Sequence, residues 1–204
     1  MEDLEIIRGK KAWKKQFAEF AVLSAPDYYP ALMGPKVKRA LRYVYLKEDS
    51  LFCYRNSYFA KYKGELAGQI TVYDHETAIG ATPRMVRYYL ASLGKDALMH
   101  SVYLMRANSK MARTTDGQTY SCNLGVYPNL RGHGIGTRIF ERVLEDAKER
   151  GRSAVTLDVE TWNIGAISLY KHLGFKLEPV AFHIWIRGKD YGFHRMIHDL
   201  KRIG

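Results

Sequence analysis

The pattern of this chain predicts an α/β (α+β) fold in which a mixed sheet carries helices on both faces. Three observations predict it. β-rich runs and helical periodicities alternate along most of the chain instead of segregating into halves. The 204 residues, 47% of them hydrophobic, suffice to bury a core and stay within the size of one domain. No internal repeat, low-complexity tract or interdomain linker breaks the series, so residues 1–204 are expected to form a single domain.

The elements follow in order. LEIIRG reads as a strand, after which Trp13, Phe17, Phe20 and Ala21 recur at helical spacing. Val37, Ala40, Leu41, Val44 and Tyr45 give a second helix, beyond the breakers Pro30, Gly34 and Pro35. SYFAKYKGELAGQITVYD is a hairpin about Lys63-Gly64-Glu65. Residues 74–118 then form an insertion whose length argues for extra structure rather than bare loop. Pro83 suits a helix start there, Met85, Val86, Tyr89, Leu90 and Leu93 continue it, and Gly94 stops it. Leu98, Val102 and Met105 mark another helix, and the polar stretch NSKMARTTDGQ is expected to be mobile.

TYSCNLGV is the next strand, ending at Val126. Y-P-N-L and R-G-H-G-I-G lead into a helix whose core stripe is Ile135, Ile139, Val143 and Ala147, with Gly151 placed for a left-handed cap. Strand SAVTLDVET, a helix from Asn163 to Leu173, a strand FKLEPVAFHIWIRG, a turn at RGKDYG and a last strand FHRMIHDL complete the alternation.

A formal charge of +11 favours polyanions, but the Lys and Arg residues are spread along the chain with only short clusters such as Lys10-Lys11 and Lys14-Lys15. The reading is a solvated surface that helps an anionic cofactor; nucleic acid is not the expected partner. Cys53 and Cys122 are far apart in sequence, so no disulfide framework is indicated. No run reaches the ~18 apolar residues of a spanning helix, and the charged start MEDLEIIRGKK lacks a secretory leader. The expectation is a soluble cytoplasmic protein, without a membrane partner, as monomer or homodimer.

The glycine-flanked turn from Arg131 to Gly136 opens onto a helix, which presents unpaired backbone N–H groups at the positive end of the helix dipole and suits a pyrophosphate. Arg131, Gly134 and Gly136 fill the places of an Arg/Gln-x-x-Gly-x-Gly/Ala motif, and Asn163, Ala166, Leu169, Tyr170, Gly174 and Phe175 follow in order. With both signatures present, the chain resembles the Gcn5-related N-acetyltransferase (GNAT) family, clearly over residues 115–200 and more weakly over residues 1–73. The resemblance implies a mostly antiparallel sheet splayed between its fourth and fifth strands, here 119–127 and 153–161. Acetyl-CoA would lie in that gap as co-substrate. Leu124, Gly125 and Val126 occupy the region of the fourth-strand bulge that holds pantetheine and the thioester carbonyl, and Gly125 suits such a bulge. Pyrophosphate contacts would run over Arg131, Gly132, His133, Gly134, Ile135, Gly136 and Thr137. Arg131 would support the loop, the His133 ring would take no catalytic part, and Asn163 would meet the cofactor arm or cap its helix.

Transfer to an amine needs a neutral amine, a polarised thioester and a proton for the departing thiolate. Tyr170 aligns with the tyrosine that sits near the coenzyme sulfur in many members and is the candidate acid. Asp158, in LDVETWN, resembles the base position of ribosomal-protein and peptide N-terminal acetyltransferases. Glu160, two residues on and hence on the same strand face, could substitute. The fourth-strand Glu used by histone-type members falls on Tyr120, which argues against that mechanism and leaves Tyr120 to order a water or the incoming amine. A structural ion pair is the competing reading of either carboxylate. Cys122 reads as a strand residue rather than an acyl acceptor, and no catalytic metal is expected from His183, His194 and His198.

The function expected is direct acetyl transfer from acetyl-CoA to a primary amine in a ternary complex, the acceptor being a peptide or protein amine or a small molecule. The alternatives are a catalytically inactive acyl-CoA-binding or basic nucleic-acid-associated module, and a dinucleotide enzyme. G-H-G-I-G-T lacks the last glycine of the dinucleotide pattern.

Overall fold

The computed structural model describes residues 3–94 and 97–200. The elements are β1 (Leu4–Arg8), α1 (Lys14–Ser24), α2 (Tyr28–Met33), α3 (Val37–Tyr45), β2 (Ser57–Tyr62), β3 (Glu65–Asp74), α4 (His75–Leu93), α5 (Ala97–Lys110), β4 (Gln118–Val126), α6 (Ile135–Glu149), β5 (Ala154–Glu160), α7 (Ile164–His172), β6 (Lys176–Leu177), β7 (Phe182–Ile186) and β8 (Lys189–Asp199). They form one sheet in the order β1-β2-β3-β4-β5-β8-β6, with β7 also paired to β8. Every pairing is antiparallel except β4–β5.

Alternation along the strands sends successive side chains to opposite faces and builds two cores. On one face α1 to α5 cover Phe59, Tyr73, Tyr120 and Phe193. On the other, α6 and α7 cover Ile70, Leu157, Val159 and Met196. α6 shows the expected stripe: Ile135, Ile139, Val143 and Ala147 are all buried, and Gly151 takes φ +65° just past the helix end. α1 lies so close to the sheet that a Cβ at Gly125 would fall 2.4 Å from the Phe20 carbonyl oxygen. Full burial of Phe17 and Phe20 anchors that contact, at about 1.5–3 kcal/mol for each ring.

Three expectations need correction. The first inserted helix starts at His75, directly after β3, rather than near Pro83, whose side chain, like that of Leu98, lies outside the described residues. FKLEPVAFHIWIRG is not one strand but two, β6 and β7, which both pair with the eleven-residue β8. The segment expected to be mobile is fastened: the Ala112 N–H donates to Asp158 at 2.8 Å and Arg195 donates to the Lys110 carbonyl at 3.3 Å. The short helix α2 had no sequence counterpart, because Pro30 reads as a breaker although it is tolerated in a helix's first turn.

Candidate functional site

The parallel β4–β5 ladder is short. It pairs Gln118–Ser121 with Ala154–Leu157 and stops, while β3 follows β4 to Val126 and β8 follows β5 to Glu160. Beyond Ser121, therefore, the β4 edge that faced β5 has no strand beside it, and its backbone groups are available to a ligand. A bulge in β4 lies at this fork: Thr71 opposes Cys122 and Gln69 opposes Gly125, and the extra residue that turns the chain is Asn123, with φ +58°. The expectation had Gly125 making the bulge; Gly125 is instead required by the approach of α1. Asn123 is held on both sides, since its carbonyl accepts from Gln69 Nε2 at 2.6 Å and its side-chain oxygen accepts from the Tyr29 hydroxyl.

The glycine loop follows at once. Gly132 and Gly134 take φ +79° and +69°, and Gly134 stands in the left-handed region as the residue before α6. No side chain caps α6, so the amides of Ile135, Gly136 and Thr137 in its first turn remain open to an anion. Arg131 folds back, its Nε 3.3 Å from the Val126 carbonyl, and ties the loop to the end of β4. His133 is exposed, with Nδ1 3.1 Å from the Arg131 carbonyl. Arg138 is paired to Glu141 at 2.9 Å, one helical turn away.

On the other side of the gap, the Asn163 side chain accepts from the Ala166 N–H at 3.1 Å and so caps α7. Its own N–H donates to the Glu160 carbonyl at 2.9 Å, which fixes the turn between β5 and the helix. α7 carries Tyr170, buried with its ring 5.3 Å from that of Phe140 and 6.0 Å from that of Phe175. Burial raises its phenol pKa, which keeps the group a neutral proton donor.

The two carboxylates of β5 differ sharply. Asp158 is paired across the ladder with Arg195, which grips it through Nε–Oδ1 at 2.9 Å and Nη2–Oδ2 at 3.1 Å. Oδ2 also accepts from the Ala112 N–H at 2.8 Å and the Tyr120 hydroxyl at 3.0 Å. Tyr120 is thereby committed to Asp158, and burial together with that carboxylate raises its pKa. Glu160 stands opposite Phe193, which offers no counter-charge. It is 4% exposed, and neither carboxyl oxygen has a hydrogen-bond partner. Burial, and then the negative charge of Asp27, push its pKa up to about 7, against the weaker pull of Lys189 and the nearby Trp162 indole.

A cleft of about 820 Å³ joins these parts. Its lining includes Ile135, Phe140 and Tyr170 from one face of the sheet and Tyr28, Met85 and Glu160 from the other. The cavity thus passes through the sheet where β4 and β5 part. Leu124, Val126, Arg131, Gly132, Gly134, Gly136, Thr137, Asn163, Tyr120 and Asp158 also line it. Cys122 lines it too, but burial and Asp158 raise its thiol pKa, which makes it a poor nucleophile. Among the described residues no group of three or more His, Cys, Asp or Glu is placed to hold a metal ion, and no helix is long and apolar enough to cross a membrane. Sequence reasoning missed Asn123, Tyr29 and Arg195. The tolerance of Asn for positive φ was the one available signal for the first, while the others depend on which strands and helices meet.

The family model described as acetyltransferase (GNAT) family matches residues 19–175. An uncharacterized N-acetyltransferase of Methanocaldococcus jannaschii is 47% identical over 62 residues, 30% of this chain and 27% of that protein. A mouse (Mus musculus) thialysine N-epsilon-acetyltransferase is 43% identical over 60 residues, 29% of this chain and 35% of that one. The matched stretches therefore span about a third of those relatives' lengths. A solved structure described as an acetyltransferase superposes with a TM-score of 0.67 at 20% identity, covering 97% of this chain and all of that one.

Proposed function

Because this chain belongs to the acetyltransferase (GNAT) family, whose co-substrate is acetyl-CoA, we propose that it is an N-acetyltransferase that moves the acetyl group directly to a primary amine. In this reading the open amides of Ile135, Gly136 and Thr137, with Gly132, His133 and Gly134 before them, take the pyrophosphate. The unpaired β4 edge from Leu124 to Val126 takes the pantetheine arm and the thioester carbonyl. The observation that carries the proposal is the through-sheet cleft, in which Tyr170 and Glu160 line one cavity from opposite faces of the sheet.

Glu160 is the base of this reading. A general base works best when its pKa lies near the operating pH, and a pKa of about 7 meets that requirement. Asp158, with its oxygens occupied by Arg195, Tyr120 and the Ala112 amide, is a positioning residue that holds Tyr120 and the end of α5 in place. Glu160 removes one proton from the incoming ammonium. The freed nitrogen lone pair forms the C–N bond, the C–S bond breaks, and the departing thiolate takes the proton of the Tyr170 phenol. Of the two protons left on nitrogen, one restores the phenol and the other stays on the product amide; Glu160 returns its proton to solvent, so charge and atoms balance. Cys53 and Cys122 are free thiols, which supports a reducing, cytoplasmic setting.

Thiol release from acetyl-CoA with an amine panel tests the proposal, comparing wild type with Tyr170→Phe. Acetylation with a large loss of kcat in the variant and unchanged coenzyme A binding is the expected result. Calorimetry that finds no coenzyme A binding by folded protein would overturn it.

A further inference from the structure

Resting on the acetyl-transfer reading above, the chemistry of the far half of the cleft points to an acceptor class. On the α1–α5 face the walls are Met85 of α4, Leu104 of α5, Met111 just past α5 and the rings of Tyr28, Tyr73 and Tyr89. Several polar tips at this end are already spent. The Tyr28 hydroxyl donates to Met111 Sδ at 3.1 Å, that of Tyr29 to Asn123, and that of Tyr120 to Asp158. The surfaces offered to a ligand are therefore largely ring faces and aliphatic carbon.

Charge narrows the choice further. Among the described residues, the cleft lining contains three charged side chains: Arg131, Asp158 and Glu160. Arg131 sits on the glycine loop at the opposite end, and Asp158 is neutralised by Arg195. Asp27 and Lys189, near enough to act on Glu160, are paired with each other at 3.3 Å, so within the lining one carboxylate, Glu160, is left to meet a cation. A single ammonium can lie against it and the electron-rich tyrosine faces. A second ammonium on the same molecule would enter an apolar compartment without a counter-ion, and a second carboxylate would meet no free cation there; both carry the full desolvation penalty.

The compartment is also fastened at its edge. The Ala112 amide and the Lys110 carbonyl tie the end of α5 to Asp158 and Arg195, while Lys189 at the start of β8 reaches Asp27, just before α2, at 3.3 Å. A compact molecule fits this enclosure better than a chain that must leave it.

We propose that the acceptor is a small primary monoamine on an aromatic or branched apolar body, with the amine at Glu160 and the body between the tyrosine rings and the methionines Met85 and Met111. Diamines, polyamines and zwitterionic amino acids would be rejected for their second charge.

Initial rates of thiol release from acetyl-CoA test this with 2-phenylethylamine and isoamylamine against putrescine, spermidine, lysine and a short peptide with a free N-terminus. The monoamines should lead in kcat/KM by about 100-fold, the discrimination an apolar pocket can reach. Leu104→Glu, at a half-buried position, should narrow the gap for putrescine by supplying the missing counter-charge. Preference for putrescine, spermidine, lysine or the peptide by the wild type overturns the acceptor class while acetyl transfer stands. Acetylation of none of the amines overturns both.

Discussion

Two carboxylates stand two residues apart on the same face of β5, and their surroundings could hardly differ more. Asp158 opposes Arg195 across the ladder and gathers the guanidinium, a phenol and a backbone amide. Glu160 opposes Phe193 and has no hydrogen-bond partner, although its side chain is buried as that of Asp158 is. Burial alone, then, does not say what a carboxylate is for. The residue across the strand pair decides whether the charge is spent in holding the fold or kept available for chemistry.

The largest effect should follow from Glu160→Gln. Loss of a general base lowers the rate by about 10²–10⁴-fold, so kcat/KM for the best amine should fall within that range while coenzyme A binding persists. Wild-type kcat/KM should rise with pH through an ionisation near 7, set by Glu160, and that step should vanish in the variant. The opposite pattern, with Asp158→Asn abolishing turnover and Glu160→Gln leaving it intact, would reverse the assignment.

Asp158→Asn should damage the fold first. It leaves the Arg195 guanidinium, 12% exposed, without its partner, and breaking a buried pair in this way costs about 3–5 kcal/mol. Denaturant titration measures that loss. The Ala112 amide and the Tyr120 hydroxyl also lose their charged acceptor, so KM for the amine should rise more than kcat falls. A merely structural pair would leave both kinetic constants of the folded fraction unchanged.

The same contrast separates what the sequence made legible from what it did not. The proposed cofactor side was readable because each of its parts is local: glycines at positive φ before a helix, the α6 stripe and an Asn that caps α7 are each set by a few neighbouring residues. The proposed acceptor side was not, because it is assembled from α2, α4, α5 and β5, which are distant in sequence. Asp158 and Glu160 looked interchangeable in LDVETWN; only the β5–β8 register puts Arg195 against one and Phe193 against the other. Gly125 was legible as a special glycine but not for its reason, which is the Phe20 carbonyl of α1.

A smaller effect sharpens the comparison through stability. Glu160 titrates near 4.5 when unfolded and is pushed up to about 7 when folded, so the native state binds more protons between those values. Its contribution to stability is therefore fully present below about pH 4.5 and is lost as pH rises through 7. Wild type should lose stability across that window relative to Glu160→Gln, as followed by chemical denaturation at several pH values. Asp158→Asn should retain the Glu160 slope, since it leaves that carboxylate in place. A wild-type slope equal to that of Glu160→Gln would mean that Glu160 is solvated rather than buried.

The smallest effect concerns the turn that ends β5. Asn163 receives the Ala166 N–H and gives its own N–H to the Glu160 carbonyl, so its side chain caps α7 while its backbone fixes the strand end that carries Glu160. Asn163→Ala removes the cap alone and should cost about 1 kcal/mol, with kcat/KM changed little because the backbone bond remains. Asn163→Asp should restore most of that stability, since Asp caps equally well. A rise in KM for acetyl-CoA that Asp fails to rescue would instead show that the amide nitrogen of Asn163 contacts the cofactor, and the residue would then belong to the binding machinery as well as to the turn.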